Sequence, residues 1–239
     1  MRGPGGHSSK PTRNNAIFYL ADAIKALQSY QFPVRSSDEV RMFFRTLGPI
    51  LDNEIGAAMS RFAENPQDKR ASDLLSAVPD YVGMVRTTCI PTMLHGGHVE
   101  NALPESATVT VNCRIHPGVE VSDVHEQLRK AVNNAGLEIV LKGEPYASPA
   151  SPVRDDVFAV IQNAVDRQFP GTPVIPFIAP YATDGAYLRG AGIPTYGSFG
   201  LLLRAQDDNP HSSDEKLPVK GFYSALDHWH SVIQDLAAL

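Results

Sequence analysis

Four short segments combine glycine, histidine, serine and acidic residues in patterns that can do chemistry. They are residues 5–9 (Gly-Gly-His-Ser-Ser), 95–98 (His-Gly-Gly-His), 181–185 (Tyr-Ala-Thr-Asp-Gly) and 210–215 (Pro-His-Ser-Ser-Asp-Glu). Imidazoles and carboxylates bind metals and move protons, and glycines let the backbone approach a ligand closely. Each segment also has an ordinary structural interpretation as a turn or a helix cap.

Two histidine pairs in the chain fail the spacing test for a metal site. His95 and His98 flank a predicted hairpin turn with no third ligand beside them. His228 and His230 lie two residues apart on a predicted helix, so they point to opposite sides and read as helix surface. His-Glu-x-x-His, Cys-x-x-Cys, phosphate-loop and Gly-x-Ser-x-Gly motifs are all missing from the sequence.

Charge and hydropathy limit the classes of partner. The 21 basic and 26 acidic residues give a net charge of −5 and form no block of one sign, which argues against nucleic acid. No apolar run approaches the roughly 18 residues of a membrane span, and residues 1–10 are glycine-rich and polar. We therefore expect a soluble protein with no membrane partner; its compartment stays undetermined. Cys89 and Cys113 are predicted to be buried thiols, with a bridge between them as the alternative.

Periodicity divides the first 146 residues into helices and strands. Helical spacing predicts a helix capped by Asn14 or Asn15 and a helical insertion over about 38–80, broken by prolines. Residues 85–94 and 107–114 are predicted strands, and the second has one face that points inward. That face consists of Ala107, Val109, Val111 and Cys113. A helix from residue 122 and a strand over 137–141 complete an α+β order.

The rhythm changes after a proline-rich stretch, residues 145–152, which has the composition of a linker. Helical patterns then alternate with an extended apolar run over 172–178 and a predicted buried strand over 193–199, and a final helix covers 221–239. This alternation is typical of an α/β layer. The sequence thus predicts two domains, residues 1–146 and 147–239.

The order of the motifs resembles the family of aminoacylase, carboxypeptidase S and succinyl-diaminopimelate desuccinylase. The matching segments are residues 3–11, 96–104, 111–114, 182–185, 192–194 and 211–215. The resemblance implies an α+β dimerisation (lid) domain with an antiparallel sheet, followed by the C-terminal part of an α/β zinc-peptidase-type catalytic domain. The helical insertion favours the carboxypeptidase S branch.

The resemblance also implies roles for particular residues. In such enzymes two zinc ions share a bridging water, and a glutamate acts as the base in hydrolysis of a peptide or N-acyl amino acid amide. His211 corresponds to the last zinc ligand, and His7 to the histidine that stabilises the oxyanion in the partner subunit's site. The substrate-binding positions correspond to Asn101, Arg114, Asp184 and Gly185, with Arg114 suited to a terminal carboxylate.

The other metal ligands and the catalytic glutamate would precede His7 in such a family, where this sequence has six residues. The resemblance implies a homodimer. Because those ligands and the glutamate are absent from this sequence, we expect the chain alone to be inactive and to bind no zinc tightly. The complete enzyme would then need an upstream catalytic half. The alternative is a dimerisation or binding module that does no catalysis.

Overall fold

The alternating segment 107–114 forms a strand, as predicted. This strand, β4 (Ala107–Arg114), pairs antiparallel with β2 (Thr88–Gly96) along its whole length. The computed structural model describes residues 1–144, 148–179, 181–204, 207, 208 and 210–238. A second, shorter antiparallel pair joins β1 (Gly6–His7) to β3 (Ala102–Leu103).

Two helices supply most of the apolar residues that cover the inward face of β4. Ala107 and Val109 pack with residues of α1 (Ala16–Ser29), and Cys113 packs in a cluster with residues of α6 (Val121–Val132). The predicted cap of the first helix is confirmed, because the Asn15 side chain accepts a hydrogen bond from the Ile17 N–H at 2.8 Å. The inward face that alternation predicted is thus the buried one.

The helical insertion consists of four helices with a core of their own. They are α2 (Asp38–Leu47), α3 (Glu54–Glu64), α4 (Lys69–Ser76) and α5 (Pro79–Val85). Phe44 and Phe62 meet edge to face at its centre, with their ring centroids 5.6 Å apart, and both are fully buried. Ser37, Asn53 and Asp68 cap three of these helices through their side chains, and the fourth begins at Pro79 with no side-chain cap.

The described residues divide into two units. The first contains Met1–Ala150 and Phe177–Ala191, and therefore includes α8 (Gly185–Gly190). The second contains Ser151–Pro176 and Gly192–Leu239. In this second unit, α7 (Asp155–Gln168) packs against α9 (Val219–Ala237). The predicted domain boundary between residues 146 and 147 lies outside the described residues. No helix in the described part of the chain is long and apolar enough to cross a membrane.

Two predicted strands, 137–141 and 193–199, are wrong, and the apolar run 172–178 forms no strand either. Residues 137–141, 172–178 and 193–199 are extended or irregular and form no ladder with any described residue. A strand is defined by hydrogen bonds to a neighbour, and an apolar run alone cannot supply that neighbour.

The two cysteines form a disulfide, so the prediction of two buried thiols is wrong. Cys89 and Cys113 stand directly opposite each other in the ladder of β2 and β4. Their separation of 24 residues says nothing about this pairing. Only the register of the two strands brings the sulfur atoms together.

Replacing both cysteines, as Cys89→Ala with Cys113→Ala, should lower the free energy of unfolding by about 3 kcal/mol, because the bridge closes a loop of 24 residues in the unfolded chain. Urea unfolding followed by circular dichroism measures the change. The unreduced, denatured chain should also take up no thiol-alkylating reagent. Alkylation of both cysteines without a reductant would contradict the bridge.

Candidate functional site

The beginning of the chain is tied down by hydrogen bonds to residues 101–107. Met1 and Ala107 exchange backbone hydrogen bonds of 3.0 Å in both directions, and the Gly3 N–H donates to the Glu105 carbonyl at 2.9 Å. Further along, His7 stands opposite Ala102 in the short ladder of β1 and β3. These contacts place His7 at a defined position beside a strand.

A β-bulge at Pro4 and Gly5 determines which way His7 faces. Gly3 bonds to residue 105 and Gly6 pairs with residue 103, so two residues on one strand oppose one on the other. Gly5 has a φ of +68° there, and a Cβ on it would lie 2.9 Å from the Glu105 side chain. Because side chains alternate along a strand, the extra residue turns those after it, including His7, to the opposite face.

The imidazole of His7 is exposed and is held by Ser9. Its Nδ1 atom lies 2.8 Å from the Ser9 Oγ and 3.1 Å from the Ser9 backbone nitrogen. The Lys10 N–H donates to the His7 carbonyl at 3.0 Å and closes a turn under the ring. The sequence identified His7 as a candidate but assigned no role to Ser9. A serine two residues after a histidine in a turn could have indicated a hydrogen bond to the ring.

Asn101 is the predicted site residue that the structure brings next to His7. Its carbonyl accepts a 2.9 Å hydrogen bond from the Ser8 N–H, while the residue itself is exposed. Arg114 is also exposed, but it lies at the far end of β4 from Ala107, about 23 Å away at ~3.3 Å per residue. The first unit therefore brings the backbone of Asn101 against the segment that carries His7 and places Arg114 apart from both.

Asp184 and Gly185 lie at the start of the short helix α8. Asp184 occupies the N-cap position, yet its side chain makes no capping hydrogen bond. Asp184 is exposed and Gly185 is half-buried. The interpretation of Asp184 as an ordinary side-chain cap of this helix is therefore not supported.

His211 belongs to the second unit and stands on a turn. It has a φ of +64°, and its N–H donates to the Glu215 Oε2 atom at 3.0 Å. Its side chain is exposed. Across all described residues, no three His, Cys, Asp or Glu side chains converge on one point. Zinc in proteins takes about four ligands, so these residues do not form a zinc site by themselves.

His228, which the sequence predicted on the helix surface, is buried, with only 1% of the residue exposed. Its Nε2 atom lies 2.6 Å from the Ser198 Oγ, and Gly200 packs so closely that a Cβ there would lie 2.2 Å from the His228 Cβ. Burial lowers the pKa of the His228 imidazole. His228 is buried because it packs against the segment around residue 200, and helical periodicity carries no information about such a contact.

The first unit combines small antiparallel sheets with helices that cover them, which makes it an α+β domain. It also carries the exposed His7. The model of the peptidase dimerisation domain of the M20 family matches residues 1–140. The chain therefore belongs to this family, and the resemblance predicted from its motifs is confirmed.

Named relatives point the same way. Probable carboxypeptidase S-like 2 of Dictyostelium discoideum is 26% identical, over 97% of this chain and 44% of that protein. The N-fatty-acyl-amino acid synthase/hydrolase PM20D1 of Mus musculus is 27% identical, over 96% of this chain and 46% of that protein. The chain thus spans less than half the length of these relatives.

A solved structure confirms the predicted fold class. The M20 family metallo-carboxypeptidase Sso-CP2 from Sulfolobus solfataricus superposes on 98% of this chain, and on 56% of its own, with a TM-score of 0.63 and 18% identity. At that identity the likeness concerns the fold alone.

The stability of the second unit should fall as the pH drops below about 6.5, the ordinary pKa of histidine. In the folded chain the pKa of His228 is lowered, so between the two pKa values the unfolded chain binds a proton that the folded chain does not. Urea unfolding followed by the fluorescence of Trp229, the single tryptophan, measures this unit. His228→Gln should remove the pH dependence, and His230→Gln, at an exposed position of the same helix, should keep it. An unaltered pH profile in His228→Gln would contradict this account.

Proposed function

We propose that this chain supplies the dimerisation (lid) domain and the C-terminal part of the catalytic domain of a zinc-dependent metallopeptidase or amidohydrolase. The substrate class is a peptide or an N-acyl amino acid, cleaved at its amide bond. The observation that carries the proposal is the pairing that holds an exposed His7 beside Asn101, inside the region matched by the peptidase dimerisation domain.

The side chains divide the work of binding and of charge stabilisation. His7 donates a hydrogen bond to the oxyanion that develops when an amide carbonyl is attacked. Asn101 offers an amide to the polar groups of the substrate. Arg114 is exposed at a strand end, where a guanidinium can bind a terminal carboxylate through two parallel hydrogen bonds.

The substrate class is supported by the chemistry that the relatives' names state. One relative is named as carboxypeptidase S-like and another as an N-fatty-acyl-amino acid synthase/hydrolase. Carboxypeptidase substrates and N-acyl amino acids share a free carboxylate near an amide bond. That shared group suits the Arg114 guanidinium. Because Arg114 lies far from His7 in one chain, we propose that the two act on one substrate from different protomers of the homodimer, and that Asp184 and Gly185 complete the substrate-binding set.

We propose that the metal site is completed by residues outside this chain. His211 contributes one ligand, and the described residues supply no cluster to complete it. The chain alone should then be inactive on dipeptides and N-acyl amino acids. Its dimerisation domain supports a homodimer in which each protomer presents His7 to its partner's site.

An exposed apolar face of α9 supports the proposal that residues outside this chain complete the fold. Six large apolar residues fall within an arc of roughly 100° on this helix. They are Val219, Phe222, Leu226, Trp229, Ile233 and Leu236, and they are between 40% and 71% exposed. A different face, with His228 and Val232, packs into the unit's own core. An apolar stripe of this length is normally covered, and we propose that it packs against the rest of a catalytic domain supplied from outside these 239 residues.

A non-catalytic dimerisation or binding module is the second candidate. The observation that favours it is the lack of a metal cluster among the described residues. The two candidates differ in what happens once the rest of the catalytic domain is present, and the next experiment separates them.

A chimera of carboxypeptidase S-like 2, in which this chain replaces the matching region, should hydrolyse dipeptides or N-acyl amino acids. His7→Ala in the chimera should lower kcat by about two to three powers of ten, the usual loss for one oxyanion donor. Steady-state kinetics measure the rate, and analytical ultracentrifugation should find the dimer intact. His95→Ala, at an exposed position of β2, is the control and should leave the rate unchanged.

Two outcomes would count against the proposal. A folded, dimeric and zinc-loaded chimera with no hydrolysis of any of these substrates would favour the binding module. An active chimera whose kcat is unchanged by His7→Ala would leave this histidine as a turn residue only.

The α9 stripe gives a separate prediction. Leu226→Lys with Ile233→Lys should change the unfolding free energy of the isolated chain by less than about 0.5 kcal/mol, because both side chains are exposed. In the chimera the same pair should cost at least about 2 kcal/mol, because the lysines would become buried without partners. Urea unfolding measures both. Gln234→Lys, on the polar side of the helix, should be neutral in both proteins, and an equal effect of the double change in both would refute a covered stripe.

A further inference from the structure

Two donors of Ser9, its backbone N–H and its hydroxyl, together favour one position of the proton on the ring of His7. The Ser9 N–H points at the His7 Nδ1 atom across 3.1 Å. A backbone N–H can only donate, so Nδ1 must accept and cannot carry a proton itself. In the neutral imidazole the single proton is therefore on Nε2.

The hydroxyl of Ser9 strengthens the same choice. Its Oγ lies 2.8 Å from Nδ1, and since Nδ1 is an acceptor, the hydroxyl is the donor. Two groups of one residue thus hold one ring nitrogen. The hydrogen bond from Lys10 to the His7 carbonyl closes the turn that keeps Ser9 in place, and the pairing of His7 with Ala102 holds the ring's own backbone.

The other ring nitrogen is left facing outward as a donor. The His7 side chain is exposed, and no described residue forms a hydrogen bond with its Nε2 atom. An Nε2–H group stabilises an oxyanion, whereas the opposite tautomer would present a lone pair and repel it. The tautomer therefore determines whether this histidine can help or hinder amide hydrolysis.

We propose that Ser9 is the positioning residue for His7. It holds the ring in the Nε2–H tautomer and in a fixed orientation, ready to donate to the oxyanion of an amide under attack. This inference rests on the proposed function for the meaning of the donor. The tautomer of His7 and its dependence on the Ser9 hydroxyl can be measured on the 239-residue chain without any hydrolysis.

The experiment is a long-range ¹H–¹⁵N correlation spectrum of the chain labelled with ¹⁵N at its histidine rings, recorded at about pH 9, where ordinary histidines are neutral. The signals that disappear in His7→Gln belong to His7. We expect a protonated, pyrrole-type Nε2 and an unprotonated, hydrogen-bonded Nδ1. In Ser9→Ala the backbone N–H is the single remaining donor to Nδ1, so the share of the Nδ1–H tautomer should rise and the Nδ1 and Nε2 resonances should move toward each other.

Two matched variants separate positioning from a general change of the turn. Ser9→Thr keeps a hydroxyl at the same place and should retain the wild-type ring spectrum. Ser8→Ala removes the neighbouring hydroxyl in the same turn and should also leave the ring spectrum unchanged. The backbone N–H of Ser8, which donates to the Asn101 carbonyl, is kept in this variant. Ser9→Gly removes the hydroxyl by a second route and should reproduce the Ser9→Ala spectrum, while backbone amide spectra verify that each variant is folded.

A protonated Nδ1 in the wild-type chain would overturn the inference, as would a Ser9→Ala ring spectrum identical to the wild type. Equal shifts in Ser8→Ala and Ser9→Ala would also overturn it, since the turn as a whole would then be responsible. A chimera with the expected tautomer but no hydrolysis would instead count against the proposed function, so the two failures are distinguishable.

Discussion

The antiparallel pairing of residues 1–8 with residues 101–107 is the constraint on which the candidate site depends. Chain ends fray unless backbone hydrogen bonds tie them down. Here the reciprocal bonds between Met1 and Ala107 do so, and Ala107 is itself 2% exposed under α1. The exposed histidine is therefore connected to the hydrophobic core within a few residues. A functional side chain can then be both accessible and fixed in position.

The bulge in this pairing explains why two glycines precede the histidine. An uninterrupted ladder would place His7 opposite residue 101 and turn its side chain to the other face. Gly5 takes up the extra residue with a positive φ of +68°, a conformation that residues with a Cβ rarely adopt. The turn that follows brings Ser9 under the ring. The position of His7 in the ladder and its contacts with Ser9 therefore decide which ring nitrogen can donate a hydrogen bond.

The second unit illustrates the opposite situation, in which a fold segment lacks neighbours. Its helix α9 buries one face and leaves a second apolar face exposed. The apolar run 193–199 pairs with no strand in the described part of the chain. An amphipathic element is normally covered by a partner surface, and the relatives are more than twice as long as the region they share with this chain.

Local patterns in the sequence determined much of this protein: the alternation of β4, the cap of α1, the helical insertion and the order of motifs that points to the family. These depend on neighbours within a few residues, which a sequence displays directly. The disulfide, the bulge before His7, the role of Ser9 and the burial of His228 were decided by tertiary structure. Strand register and helix packing bring together residues such as Cys89 and Cys113, or Ser198 and His228, that are 24 and 30 positions apart. No local pattern encodes such distances, because the free energy that selects them comes from the packing of the whole unit.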